Sequence, residues 1–285
     1  MSASNEEIKK LAQAYLRNRG FYSGDIDGLW GDLSNKAFAR YADHLAQRGL
    51  EVGGEEQIVE DAASGAISGV IVIDPGHGGS GKIGGSSGNN ATSASGVLEK
   101  TMTLDLARRV ETQLQDLANA MPGSRIDVHL TRSGDVNLSL SDRAQLAEST
   151  KADIFLSIHF NGFNGRARGT ETLIISTANG NVNEQEDREL AQRVQSAMLA
   201  AIRRFDPDAR DRGVKNGQKL GVLNDISLGN TRIPNKTRAC LVEVEFIDSP
   251  PVDELLNTGP NAQAARDAIA RAIAEALVDD LRVRR

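Results

Sequence analysis

Three short motifs constrain this chain more than anything else in it. They are Ile71-Val72-Ile73-Asp74-Pro75-Gly76-His77-Gly78-Gly79, Glu99 opening an amphipathic stretch, and Phe155-Leu156-Ser157-Ile158-His159-Phe160-Asn161. Each places a histidine or carboxylate at the edge of an apolar run, where a strand ends or a helix begins. In an open α/β sheet, ligands bind beyond the carboxyl ends of the strands. His77 leaves its strand through Pro75-Gly76, His159 ends a second strand, and Glu99 starts a helix, so all three converge on one sheet edge. Singly they have plain explanations: a loop histidine, a satisfied core histidine, a carboxylate favoured by the helix dipole. Jointly they have the makeup of a catalytic zinc site, three protein ligands with a fourth position for water.

The surrounding pattern agrees. Val70–Ile73, Ile126–Leu130, Ile154–Phe160, Leu173–Ile175 and Cys240–Ile247 read as strands. Helical spacing runs through Leu104, Ala107, Val110, Leu114 and Leu117, through Leu190, Val194, Met198 and Ile202, and through Ile269, Ile273, Leu277 and Leu281. This alternation predicts an α/β fold, an open twisted mostly parallel sheet with helices on both faces, preceded by a small N-terminal helical domain. Two polar stretches, residues 80–98 and 205–238, read as irregular insertions bordering the cleft.

A hydrolytic metal site also needs a base. In Cys240-Leu241-Val242-Glu243-Val244-Glu245-Phe246-Ile247, two carboxylates two residues apart share one face of a strand that otherwise reads as buried. Burying a carboxylate is costly unless it is paired or protonated. Either glutamate could serve as the base, or both could be salt-bridged. Asp74 is a candidate to orient His77, since ligating imidazoles usually donate their other N–H to an acceptor. Arg132 and Arg143 could bind substrate carboxylates or brace the sheet, and bracing is the favoured reading. His129 and His44 are poor ligand candidates, the first pointing away from the face of Val128 and Leu130, the second lying on an N-terminal helix.

Residues 70–280 resemble the zinc-dependent N-acetylmuramoyl-L-alanine amidases of bacterial division enzymes, spore lysins and phage lysins. The resemblance rests on Ile73 to Gly79, Leu98-Glu99-Lys100, Leu130-Thr131-Arg132, Asp135, Leu140 with Arg143, Ser157 to Asn161, and Leu241 to Ile247. It implies Zn²⁺ held by His77, Glu99 and His159, with Glu243 as the catalytic glutamate. It also implies peptidoglycan as partner, cleaved at the amide between N-acetylmuramic acid and L-alanine. Glu245 stands where the family usually has glycine. A zinc peptidase acting on stem peptides and a non-catalytic wall-binding protein are the alternative readings.

Residues 1–48 resemble the small peptidoglycan-binding domain that accompanies many cell-wall hydrolases. The matching residues are Gly20-Phe21-Tyr22-Ser23-Gly24, Ile26-Asp27-Gly28-Leu29-Trp30-Gly31, Ala37, Phe38 and Tyr41. Trp30 and Phe21 are expected between its two helices, with direct ligand contact as the alternative. Residues 49–69 read as an acidic flexible linker, leaving 70–285 as the catalytic domain. Glu51, Glu55, Glu56, Glu60 and Asp61 carry five of the six net negative charges. The remainder is nearly balanced, which argues against general nucleic-acid binding. With Cys240 alone, no intramolecular disulfide can form.

No apolar run approaches the ~20 residues of a membrane span, and the first ten residues lack the apolar core of a signal peptide. The expectation is a monomer made in the cytoplasm that reaches the wall through lysis or a delivery apparatus, or a secreted enzyme whose signal has been trimmed.

Overall fold

The computed structural model describes residues 4–18, 21–46, 67–121, 124–217, 221–228 and 237–283. The predicted linker lies outside the described residues except for Ile67, Ser68 and Gly69. Ser68 and Gly69 already belong to the first strand, and Ile67 is buried with its N–H donated to Ser124 Oγ at 2.7 Å.

Helices α1 (Asn5–Asn18) and α2 (Asp32–Ala46) belong to one compact unit. Ser4 caps α1 reciprocally with Glu7, the capping-box arrangement. Ala12, Leu16, Tyr22, Ala37 and Tyr41 form the small core, with Phe21, Trp30 and Phe38 half-buried against it. Its polar centre is Gln13, fully buried, whose Nε2 donates to Asp27 Oδ1 and the Leu29 carbonyl, both at 2.9 Å. Gln13 Oε1 accepts from Gly28 N at 2.8 Å, so one side chain fixes the aspartate-glycine turn.

The second compact unit, Gly69–Asp116 with Ile126–Val278, contains most of the sheet. In chain order the elements are β1 (Ser68–Pro75), α3 (Glu99–Asn119), β2 (Arg125–Leu130), α4 (Leu140–Ser149), β3 (Ile154–Asn161) and β4 (Thr170–Ile174). They continue with α5 (Glu184–Arg203), β5 (Asp211–Asn216), β6 (Arg238–Phe246), the short α6 (Pro250–Asp253) and α7 (Ala262–Val283). The six strands are ordered β2-β1-β3-β6-β4-β5. β1–β3, β3–β6 and β4–β5 pair in parallel, and β4–β6 is antiparallel.

Alternate residues on a strand face opposite sides of a sheet. Val72, Phe155 and Leu241 join Ala144 and Ala147 of α4 in one buried cluster. The intervening Ile71, Ile73, Ile154, Leu156 and Val242 are equally buried. Both faces are therefore covered, as the uninterrupted apolar runs require.

Besides the short α6, the sequence pattern misses β5 and α4. Residues 205–238 are not wholly irregular, because β5 lies within them. β5 carries Asp-Arg-Gly-Val-Lys-Asn, with no buried residue, on an edge strand that needs no apolar alternation. Helix α4 escapes notice because its buried positions are Arg143, Ala144 and Ala147, which give no strong apolar stripe. Its start is nonetheless explicit, since Ser139 and Asp142 form a capping box. Residues 80–98 are a loop with only isolated bridges, Ile83 with Ser86 and Thr92 with Leu98.

Candidate metal centre and active site

β1 and β3 run side by side, with Pro75 in register with Ile158, so their ends deliver His77 and His159 to the same place. The chain turns there through Gly76, packed so closely on the His159 ring that a Cβ would overlap it. His77 follows in the left-handed region, φ 63°, a conformation that persists only where surrounding structure enforces it. That enforcement is visible. Arg143 Nη2 donates to the His77 carbonyl at 2.8 Å, and Arg143 Nη1 and Arg132 Nε donate to the Pro75 carbonyl at 2.8 and 2.9 Å. Arg132 Nη2 also reaches the Gly76 carbonyl at 2.9 Å. Both arginines thus act as braces.

Glu99 is the first residue of α3 and is 1% exposed. Its Oε1 lies 3.1 Å from His77 Nε2 and 3.1 Å from His159 Nδ1, and the two rings meet edge-on with centroids 4.8 Å apart. Phe160 N donates to Oε1 and Ala91 N to Oε2, fixing the carboxylate from both sides. Burial would raise its pKa, but the adjoining imidazoles of His159 and His77 bring it down to about 2. Among the described residues, His77, Glu99 and His159 are the one group of such side chains close enough to share a metal ion.

The group fits a divalent cation. His77 Nε2 is buried without a hydrogen bond of good geometry despite its proximity to Glu99, so its lone pair is available to a ligated ion. Two imidazoles and one carboxylate form a donor set suited to catalytic zinc. Replacing Gly76 with alanine is expected to displace the His159 ring. Metal affinity should then fall at least tenfold, with little change in helix content. Calorimetric metal titration beside circular dichroism measures both, and unchanged affinity would refute this role for Gly76.

The orientation of His77 differs from expectation. Asp74 does not touch it. Asp74 accepts from Thr131 Oγ1, Arg143 Nη1 and Ser157 Oγ at 2.6, 2.7 and 2.7 Å, tying three elements together beneath the turn. Strand alternation and the turn carry the His77 ring elsewhere. Its Nδ1 instead meets Ser87, at 2.9 Å from Oγ and 3.1 Å from the carbonyl. The glycine- and serine-rich loop therefore supplies the outer partner.

Glu243 lies in register with His159 on the adjacent strand. Its Oε2 is buried without a hydrogen-bond partner. Burial, then the negative charges of Glu99 and Glu171, push its carboxyl well above the usual range. Glu245, two residues on, does not join this group. It is fully buried, and its Oε2 accepts from Gly169 N at 2.8 Å and Phe246 N at 3.0 Å, securing the segment that enters β4. His129 is exposed, and the side chain of His44 lies outside the described residues.

One neighbour was not foreseen. Glu171 of β4 is in register with Glu243 on its other side. Its carboxylate accepts from Asn161 Nδ2, Arg212 Nε and Lys215 Nζ at 3.0, 2.6 and 2.5 Å. Burial opposes ionisation, but Arg212, Lys215 and Asn161 together hold its pKa below the usual value. The apolar pattern marks this strand only at Leu173–Ile175, which leaves Glu171 outside it. Only register could have revealed it.

A family profile described as N-acetylmuramoyl-L-alanine amidase matches residues 71–275. The chain is 32% identical over 237 residues to the N-acetylmuramoyl-L-alanine amidase AmiA of Escherichia coli, covering 73% of this chain and 75% of AmiA. It is 32% identical over 201 residues to an uncharacterised cell wall amidase of Bacillus anthracis, covering 70% of this chain but about a third (34%) of that protein's length. Among solved structures it resembles the catalytic domain of CwlV, an N-acetylmuramoyl-L-alanine amidase of Bacillus (Paenibacillus) polymyxa. That match has a TM-score of 0.55 at 27% identity, over 74% of this chain and 97% of the other. An N-acetylmuramoyl-L-alanine amidase of Clostridium difficile gives 0.57 at 28%, over 75% and 97%. With its sheet and its sequence in agreement, the chain belongs to the N-acetylmuramoyl-L-alanine amidase family.

Proposed function

We propose that this protein hydrolyses the amide between N-acetylmuramic acid and L-alanine in peptidoglycan, using zinc, and so lyses or remodels the cell wall. The observation that carries the reading is the row formed by His159 and Glu243 on adjacent strands. It sets a buried carboxyl oxygen without a partner beside three convergent ligand side chains. His77, Glu99 and His159 would hold the zinc, which when bound supplies a Lewis acid that polarises the amide carbonyl and acidifies a water.

Glu243 does the proton work in this scheme. Positive charge at the three-ligand centre favours its ionised form, which accepts a proton from the attacking water. The protonated carboxyl then delivers that proton to the departing amide nitrogen, so the amine leaves neutral. Strand β6 holds the side chain in place throughout, with no rearrangement of the sheet. Arg132 and Arg143 keep the His77 turn fixed while the substrate passes.

In the same reading, residues 1–48 anchor the enzyme to peptidoglycan and 49–69 tether that module to the catalytic domain, 70–285. The exposed Leu29 and Leu33, on either side of half-buried Trp30, support a binding face there. The enzyme acts as a monomer at the cell wall, with neither nucleic acid nor membrane as a partner. No described helix is long and apolar enough to cross a membrane.

Digestion of purified wall by the zinc-loaded protein tests the proposal. Mass spectrometry should find intact stem peptides with a free amino-terminal L-alanine and glycan strands left whole. A chelator should abolish their release and added Zn²⁺ should restore it. Peptides cut internally would instead identify a stem-peptide peptidase, and absence of products from metal-loaded protein would identify a wall-binding protein.

A further inference from the structure

The register of the sheet carries the site further than the metal centre. His159, Glu243, Glu171 and Gly213 are successive partners on β3, β6, β4 and β5, a single row across four strands. Residues in such a row present their side chains to the same face. At its far end Gly213 has no side chain, and the space a Cβ would enter is open. Arg212 and Lys215 flank that gap.

These two cations share one carboxylate, that of Glu171. Among the described residues neither has another anionic partner, so the cluster retains one positive charge. The side chains of Arg212 and Lys215 are 37% and 40% exposed, leaving donors open to solvent. Glu171 engages only Nε of Arg212, and the guanidinium carbon lies over the Phe246 ring, 5.0 Å from its centroid. A guanidinium fixed in this way is a fork already oriented for a second carboxylate.

We infer that Arg212 and Lys215, positioned by Glu171, form a subsite for a carboxylate on the peptide side of the substrate. This rests on the amidase reading above and names its peptide specificity. Two strand spacings separate Glu243 from Gly213, about 10 Å. An extended peptide advances about 3.3–3.6 Å per residue. The recognised carboxylate therefore belongs to the second or third residue after the scissile amide.

The probes are two N-acetylmuramoyl tripeptides that differ only in a free carboxylate or a carboxamide at those residues. Their Kd values are measured calorimetrically on the zinc-loaded Glu243→Gln protein, where turnover does not interfere, and KM and kcat on the wild type. The free carboxylate should bind about tenfold more tightly and lower KM with little effect on kcat. Lys215→Ala and Arg212→Gln, each added to the Glu243→Gln background, should bring the ratio of Kd values towards one. Lys215→Ala is included because it leaves the Arg212–Glu171 bond in place. A structural role alone would not alter the preference between two ligands. Equal Kd values for the two tripeptides, or a preference that survives in both variants, would overturn the inference. Cleavage at a bond other than the muramoyl amide would overturn the amidase reading while leaving the binding comparison intact.

Discussion

Replacing Glu243 with glutamine is expected to lower kcat by about a hundred- to ten-thousand-fold, the range contributed by a positioned general acid–base. The substitution preserves the shape of the side chain and removes its ability to take a proton. Because Glu243 is not among the three clustered ligands, the variant should keep its full complement of zinc. Paired measurements of product release and metal content separate these effects. Glu245→Gln is the internal comparison: Glu245 accepts two backbone N–H groups away from the cluster, so its loss should affect stability more than kcat. Normal turnover by Glu243→Gln would remove Glu243 from the mechanism. A larger loss in Glu245→Gln than in Glu243→Gln would move the role to the other carboxylate.

The largest effect on stability is expected at Arg143. It forms an ion pair of 2.7 Å with Asp74, and both side chains are almost fully buried. Substituting Arg143 with methionine keeps much of the volume but leaves the Asp74 carboxylate without its cation. Breaking a buried pair by removing one partner costs about 3–5 kcal/mol. The cost has a local component as well, since Arg143 also donates to the Pro75 and His77 carbonyls. Denaturant titration of the metal-free variant should show this loss. Arg143→Met with Asp74→Asn should recover part of it, because the uncompensated charge is gone. A loss below 1 kcal/mol for the single variant would mean that Asp74 is adequately held by Thr131 and Ser157 alone.

Much of this architecture is legible in the sequence for a specific reason. The parallel strands are buried on both faces, so β1 and β3 appear as unbroken apolar runs that end at Gly76-His77 and at His159. Motifs at strand ends inherit their position from the strands, and that is how the convergence of His77, Glu99 and His159 can be foreseen. What escaped detection depends on relations between distant segments. Asp74 looked adjacent to His77 along the chain, yet the left-handed turn directs the ring to Ser87. Helix α4 packs through alanines and an arginine, which carry little periodic signal. β5 is polar because only an edge strand can be so. Glu171 became notable through its register with Glu243 and through cations some forty residues downstream.

The two arginines under the Pro75–His77 turn have a wider consequence. In many small metalloproteins the ion gathers its own ligands, and folding and loading are one event. Here the carbonyls around the histidine are already secured by guanidinium groups, and the carboxylate of Glu99 by backbone N–H groups on either side. The chain thus prepares the receptacle independently of its contents. If the proposed zinc is the working ion, its removal should silence the chemistry without dismantling the fold, and the emptied molecule should be recharged rather than rebuilt.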